Sequence, residues 1–256
     1  MENEIILKYY ENDDINFELE TGNFYTFIGS LNEQIVKNLL FKEENDYITY
    51  NNKKVTKDNL SIYRRNVAFS LYELVNIYDS ETVIDELAYP LENLGFKNKS
   101  MYESIMEFSN KLRLDTILNE SPYNISSSKR ALLNVGSALI FCPKIIIINN
   151  IFGLLDKKDK EVLINYLKSF IKTGGVVVNF TNDIEESLYG NKLIISNKEK
   201  IVISGKTISV LNEEIIMKRL GFNLPFIVQL NKYMKDYELI KNYNLSYEGL
   251  VDKIWK

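Results

Sequence analysis

Two adjacent amides, Asn149 and Asn150, end a run of four isoleucines, 145–148. A β-branched run of that length, following a helix-period stretch that stops at Pro143, predicts a buried parallel strand. At the carboxyl end of such a strand a phosphate-handling protein places carboxylates, one for Mg²⁺ and one to activate a water. Neither asparagine can carry charge or take up a proton. The other half of a phosphate site is a loop whose glycines let successive N–H groups form an anion nest, with a Lys for the β and γ phosphates and a hydroxyl for Mg²⁺. The stretch Gly29-Ser30-Leu31-Asn32-Glu33-Gln34-Ile35-Val36 has that length but keeps only the first glycine. Gln34, Ile35 and Val36 stand at the positions of the last glycine, the Lys and the hydroxyl, and Glu33 would put negative charge in the cradle. Ser30 and Glu33 have instead the spacing of a capping box, which predicts a helix N-terminus closed by the chain's own oxygens.

The elements that must position these residues alternate. Strands are expected at 5–10, 15–20 and 24–28, separated by turn residues, and a helix at 31–40. A hairpin-like section spans 47–55, and 67–69 reads as a short buried strand. Apolar residues at three- and four-residue spacing then mark helices at 82–94, 100–112 and 127–141. After the isoleucine strand come a helix at 157–171, a strand at 176–180, a short helix and strands at 193–195 and 201–203. This order predicts an α/β chain with a mostly parallel sheet, helices on both faces, an antiparallel N-terminal β part, a helical insert and a helical tail. In the tail, Pro225 starts one helix and Ser246 caps a last one. Because the tail follows the last strand, its removal is expected to leave the sheet folded.

The chain has 256 residues, 45% of them apolar, enough for one sizeable core with appendages. With 31 Lys and Arg against 35 Asp and Glu, the formal charge of -4 gives no general attraction to nucleic acid or anionic lipid. No apolar run is long enough to span a bilayer and the start, MENE, is not a signal peptide, so a cytosolic protein is expected. The single cysteine, Cys142, excludes an internal disulfide and a Cys zinc site, and reads as a small core residue. Histidine is absent, which removes imidazole bases, ligands and switches.

Taken together, the order and spacing resemble the ATP-binding cassette (ABC) ATPases, a P-loop NTPase-like fold, over nearly the whole chain. The likeness is greatest to the ATP-binding subunits of energy-coupling factor transporters. Gly22, Gly29, Arg65, Thr82-Val83, Ile125-Ser126, Pro143 and Leu155-Asp156 fall where that family has counterparts, and Gly221 to Pro225 and Ser246 to Leu250 resemble its carboxyl-terminal part. The resemblance implies an ABC domain over 1–205, with a helical subdomain at about 81–135, and a tail over 206–256 that contacts another subunit. It places Asn149 at the Mg²⁺-associated Asp, Asn150 at the general base, Tyr72 at the Gln loop and Asn182 at the switch His. Asn182 has the plainer reading of a cap for the next helix. Tyr10, or its neighbour Tyr9, stands where an aromatic ring stacks on adenine. In the signature segment Ser126 persists, Ser127 and Ser128 replace two glycines and Lys129 replaces Gln; Leu154, Leu155 and Asp156 form the dimer-contact loop, with Asp156 also suited to cap the next helix.

The resemblance implies a catalytically degenerate subunit, with no catalytic residue, metal or cofactor of its own and with ATP and Mg²⁺ at a partner's site. The expected partners are an intact ABC ATPase, as a heterodimer, and a transmembrane coupling protein, but not nucleic acid. The location implied is cytoplasmic, peripheral on the inner face of the membrane through those partners. A stand-alone interaction scaffold is the competing reading. Residual ATP binding and hydrolysis comes last, since it demands chemistry that Asn, Gln and Ile do not supply.

Overall fold

The structure, a computed structural model, describes residues 4–245 and 249–251. The cap expected at Ser246 lies outside them. Along the chain, β1 (Ile5–Asn12) and β2 (Ile15–Glu20) form a hairpin that leads into β3 (Phe24–Gly29) and α1 (Asn32–Leu39). The hairpin turn is set by Asn12, whose Oδ1 accepts from the N–H groups of Asp14 and Ile15, both at 2.9 Å. The short strands β4 (Ile48–Tyr50) and β5 (Lys53–Lys54) precede α2 (Leu60–Asn66) and β6 (Val67–Leu71). Periodicity had not marked α2, because its seven residues bury only Tyr63, whose hydroxyl donates to the Leu39 carbonyl at 2.8 Å.

The helical insert follows as α3 (Val83–Asn93), α4 (Asn98–Lys111) and α5 (Ser127–Leu139). Next come β7 (Ile145–Asn149), α6 (Lys157–Lys172), β8 (Val176–Thr181), β9 (Lys192–Ser196) and β10 (Ile201–Lys206). The tail holds α7 (Thr207–Leu211), α8 (Glu214–Arg219) and α9 (Phe226–Asp236), the last with Pro225 at its N-cap as the sequence predicts. Cys142 is exposed, a departure from its expected core role. Its left-handed backbone, φ 56°, ends the α5 region and turns the thiol outward while Pro143 is buried.

Two sheets result. One is antiparallel, in the order β2-β1-β4-β5; the other has the order β10-β9-β3-β8-β7-β6 and is parallel except for β10 on β9. In β2, Ile15, Phe17 and Leu19 alternate inward, as a half-buried strand requires, whereas β7 and β8 are buried throughout, as a central parallel strand requires. One core lies between the two sheets, around Tyr9, Phe17, Phe27, Ile147 and Phe180. A second joins the other face of the large sheet to the insert, around Leu87, Leu112, Ala131, Val135 and Ile148. The tail is not detached. Val210, Leu211, Met217, Ile227 and Val228 cover Ile28, Leu193 and Ile195 in a third core.

Glu186 lies buried in the turn Ile184–Tyr189 after β8, accepting from Asn179 Nδ2 at 2.8 Å. Burial raises its carboxyl pKa above the ordinary value, opposed by the hydrogen bonds of Asn179 and Thr181; Asp183 adds to the rise and Lys160 opposes it. A carboxyl raised on folding stabilises the fold when protonated, and that contribution is lost as pH rises through its folded pKa. Glu186→Gln, which keeps an oxygen for Asn179, is therefore expected to melt above the parent at pH 7 and level with it at pH 4. Melting curves across that range check this; a Gln variant less stable at pH 7 would mean the charge is compensated in place.

Candidate functional site

The register of the parallel strands brings four of the expected stations to one edge. Leu71, Asn149 and Phe180 lie side by side on β6, β7 and β8, and Ile28 pairs with Thr181. Gly29, Tyr72, Asn150 and Asn182 therefore leave the same carboxyl edge of the sheet, where open α/β sheets bind ligands. Asn149 is buried; Asn150, in a left-handed conformation (φ 54°), is exposed and donates through Nδ2 to Asn149 Oδ1 at 3.2 Å. Tyr72 is exposed too.

The loop after β3 is closed by its own neighbours. Gly29 has φ +133°, and a Cβ there would collide with the Ser196 carbonyl, so packing against β9 alone requires this glycine. The capping box expected from Ser30 and Glu33 does not form: α1 starts at Asn32, behind a Leu31 N-cap that makes no side-chain cap bond. Leu31 is buried, which pulls the turn inward, and Asn32 Nδ2 ties it down by donating to the carbonyls of Phe27 at 3.2 Å and Thr181 at 3.0 Å. Ile35 and Val36 are in the core between the sheets, and the Ile35 N–H is taken by the Leu31 carbonyl at 2.9 Å.

Gln34 Nε2 donates to Glu11 Oε1 at 2.8 Å, while the other Glu11 oxygen accepts from the Tyr9 hydroxyl at 2.7 Å. Tyr9 also accepts from Asn38 Nδ2 at 2.8 Å and stacks on Phe17, so it belongs to the core; burial is the main cause raising its pKa. Tyr10 is the exposed ring, its hydroxyl donating to Asp13 at 2.7 Å, a bond that is the main cause of its raised pKa. At Asn182 the expected cap is displaced by one residue. Asp183 caps the turn instead, accepting from the Glu185 N–H at 2.9 Å, because its own N–H is anchored on Thr181 Oγ1 at 3.1 Å.

A second group gathers at the starts of α5 and α6. Ser126 caps α5, accepting from the Lys129 N–H at 3.2 Å, and Ser127 is exposed. Ser128 is buried and donates to Asp159 at 2.6 Å while accepting the Asp156 N–H at 3.1 Å. Asp156 caps α6 by accepting from the Asp159 N–H at 2.9 Å. Ser128 thus ties the signature segment to the 154–156 loop through the Asp156 N–H.

Known proteins similar to this chain include ATP-binding cassette subunits. The chain is 25% identical over 248 residues to the energy-coupling factor transporter ATP-binding protein EcfA1 of Mycoplasma genitalium, covering 95% of this chain and 90% of that protein. To the EcfA1 of Bacillus licheniformis it is 24% identical over 253 residues, with coverage of 95% and 89%. No protein-family model matches. Among solved structures, cbiO1 of Clostridium perfringens, part of the ABC transporter complex cbiONQ, superposes with a TM-score of 0.72 at 17% identity, over 88% of this chain and 98% of that one. The cassette MJ0796 bound to ADP and Pi gives 0.67 at 19% identity, over 80% and 97%. The fold is that of an ABC ATPase.

Within this ABC fold the residues at the phosphate loop do not fit a Mg-nucleotide. Gly29 is the one glycine of the loop, the Leu31 N–H is taken by Ser196 Oγ at 3.4 Å, the Lys position is an aliphatic side chain in the core, and Glu11 faces the loop through Gln34. Among the described residues no group of three or more His, Cys, Asp or Glu is arranged to hold a metal ion. Sequence reasoning missed Glu11, Asn32, Ser196 and Asp159. Only Asn32, a polar residue between Gly29 and Gln34, carried a local signal.

Proposed function

We propose that this chain is a catalytically degenerate ABC subunit of an energy-coupling-type transporter. It pairs with an intact ABC ATPase and lends that partner its signature segment. The observation that carries the reading is an asymmetry within one molecule. In the phosphate loop Ile35 and Val36 are in the core and Gln34 is bonded to Glu11, whereas Ser128 ties the first turn of α5, capped by Ser126, to Asp156 at the start of α6. Ser126 Oγ caps the Lys129 N–H, and the first-turn N–H groups ahead of it suit an anion brought by another subunit. ATP and Mg²⁺ then belong to the partner's phosphate loop.

The groove between α2, the end of α3 and Phe141 after α5 suits the transmembrane partner. It is lined by Ile62, Arg64, Arg65, Leu94 and Phe141, with a cavity of about 550 Å³. Among the described residues no helix is long and apolar enough to cross a membrane, so this reading reaches the membrane only through that partner.

The isolated chain is expected neither to bind nor to hydrolyse Mg-ATP, because the nest glycines, the Lys, the hydroxyl and both carboxylates are replaced. Calorimetry at millimolar ATP and a phosphate-release assay test this, and saturable Mg²⁺-dependent binding would contradict it. Purification from the native host with partners retained tests the pairing. Recovery of an intact cassette ATPase supports the reading, whereas a monomer that ignores every such ATPase of its own cell favours the stand-alone scaffold.

A further inference from the structure

The two loops that this reading sets against the partner's nucleotide are joined through one buried carboxylate. Asp159, in the first turn of α6, is only 4% exposed. Its Oδ2 accepts from Ser128 Oγ at 2.6 Å and its Oδ1 from Lys129 Nζ at 2.8 Å. The single hydroxyl hydrogen of Ser128 goes to Asp159, which leaves its lone pairs for the Asp156 N–H at 3.1 Å. Lys129 Nζ also donates to the Arg113 carbonyl at 3.0 Å, just past the end of α4. The start of α5, the start of α6 and the end of α4 are thereby fixed to one another by three side chains. Ser128 and Lys129 stand where the resemblance puts a glycine and a glutamine, so side-chain bonds replace backbone freedom at this point.

We propose that Asp159 is a positioning residue. Through Ser128 and Lys129 it holds the first turn of α5 and the 154–156 loop as one rigid unit, so that Ser126 Oγ and the neighbouring N–H groups meet the γ-phosphate carried by the partner. This rests on the trans-signature reading. A carboxylate in the first turn of a helix also has a plainer explanation, in which it only stabilises α6 through the helix dipole. The two differ in what they change. A stabilising role lowers the melting temperature of the complex, whereas a positioning role alters the reaction of ATP bound on another subunit.

The test uses the complex of this chain with the cassette ATPase that co-purifies with it. Turnover, the KM for ATP, subunit stoichiometry and melting temperature are measured for Asp159→Ala, Asp159→Asn and Ser128→Ala, with Ser126→Arg alongside. Misplacing a reacting group by about 1 Å costs roughly 100-fold, so Asp159→Ala is expected to lower kcat by roughly 10- to 100-fold with KM and stoichiometry kept. Asp159→Asn keeps an acceptor for Ser128 and is expected to recover part of the loss. Ser128→Ala removes one hydroxyl and is expected to lower kcat in the same way, which keeps the question open to measurement if Asp159→Ala does not fold. Unchanged kcat in the folded Asp159 and Ser128 variants, alongside a Ser126→Arg complex that has lost turnover, would overturn the positioning role alone. A silent Ser126→Arg would overturn the trans-signature reading, and this proposal with it.

Discussion

Replacing Ser126 with Arg is expected to slow ATP turnover by the paired complex roughly 10²- to 10³-fold, the loss seen when one donor to a developing oxyanion is removed. Ser126 is exposed at the N-cap of α5, and its hydroxyl accepts the Lys129 N–H. An arginine there brings bulk to the point where a phosphate must approach the helix N-terminus. The change also deletes a cap, a loss of about 1 kcal/mol that Ser126→Ala shares, so the alanine variant separates lost capping from blocked approach. Asn150→Arg is the matched control, since Asn150 is exposed at the edge that carries the closed phosphate loop. Its turnover is expected to equal that of the parent complex. Steady-state ATPase assays on complexes of verified stoichiometry decide between the outcomes. If both arginines are harmless, the chain is a structural arm and lends its partner no signature.

What the sequence made legible depended on how far each signal reached along the chain. The burial of β3, β7 and β8 is written in contiguous apolar residues, and the helices of the insert in their periodicity, so both were readable from local pattern. Gly29, Asn149 and Asn150 could be assigned to a strand end for the same reason. Their mutual placement follows from parallel register, which the alternation of strands and helices implies. The start of α1 lies within one residue of the expected 31, but the expected capping box is replaced by Leu31 entering the core and Asn32 bridging two strands. Asn182 lost its cap to Asp183 through one hydrogen bond to Thr181, a difference no propensity resolves. The pairs Gln34 with Glu11 and Lys129 with Asp159, 23 and 30 residues apart, are products of tertiary packing and have no local signature.

Ending the chain after Lys206 is expected to abolish cooperative folding, against the reading that a tail following the last strand is dispensable. Ile28, Leu193 and Ile195 are each at most 1% exposed, and the tail supplies most of the buried side chains that share their core, beside Ile184, Leu188 and Ile203. Fully burying one such side chain contributes about 1.5–3 kcal/mol, so uncovering three removes about 5–9 kcal/mol. The whole stability of a domain is about 5–15 kcal/mol, so a loss of that size consumes most or all of it. The unfolded reference is itself partly compact, which lowers the figure by about 10–40% without changing which effect wins. The strands involved sharpen the expectation. Ile28 immediately precedes Gly29, and Leu193 and Ile195 lie on β9 just before Ser196, which packs against that glycine, so losing the tail also loosens the loop at the sheet's edge. Urea denaturation followed by far-ultraviolet circular dichroism, with binding of a hydrophobic dye, checks this in the truncated chain. A sharp transition within a few degrees or a few tenths molar of the parent would establish that the tail only decorates the sheet, and would return it to the role of a separable contact arm for the second subunit.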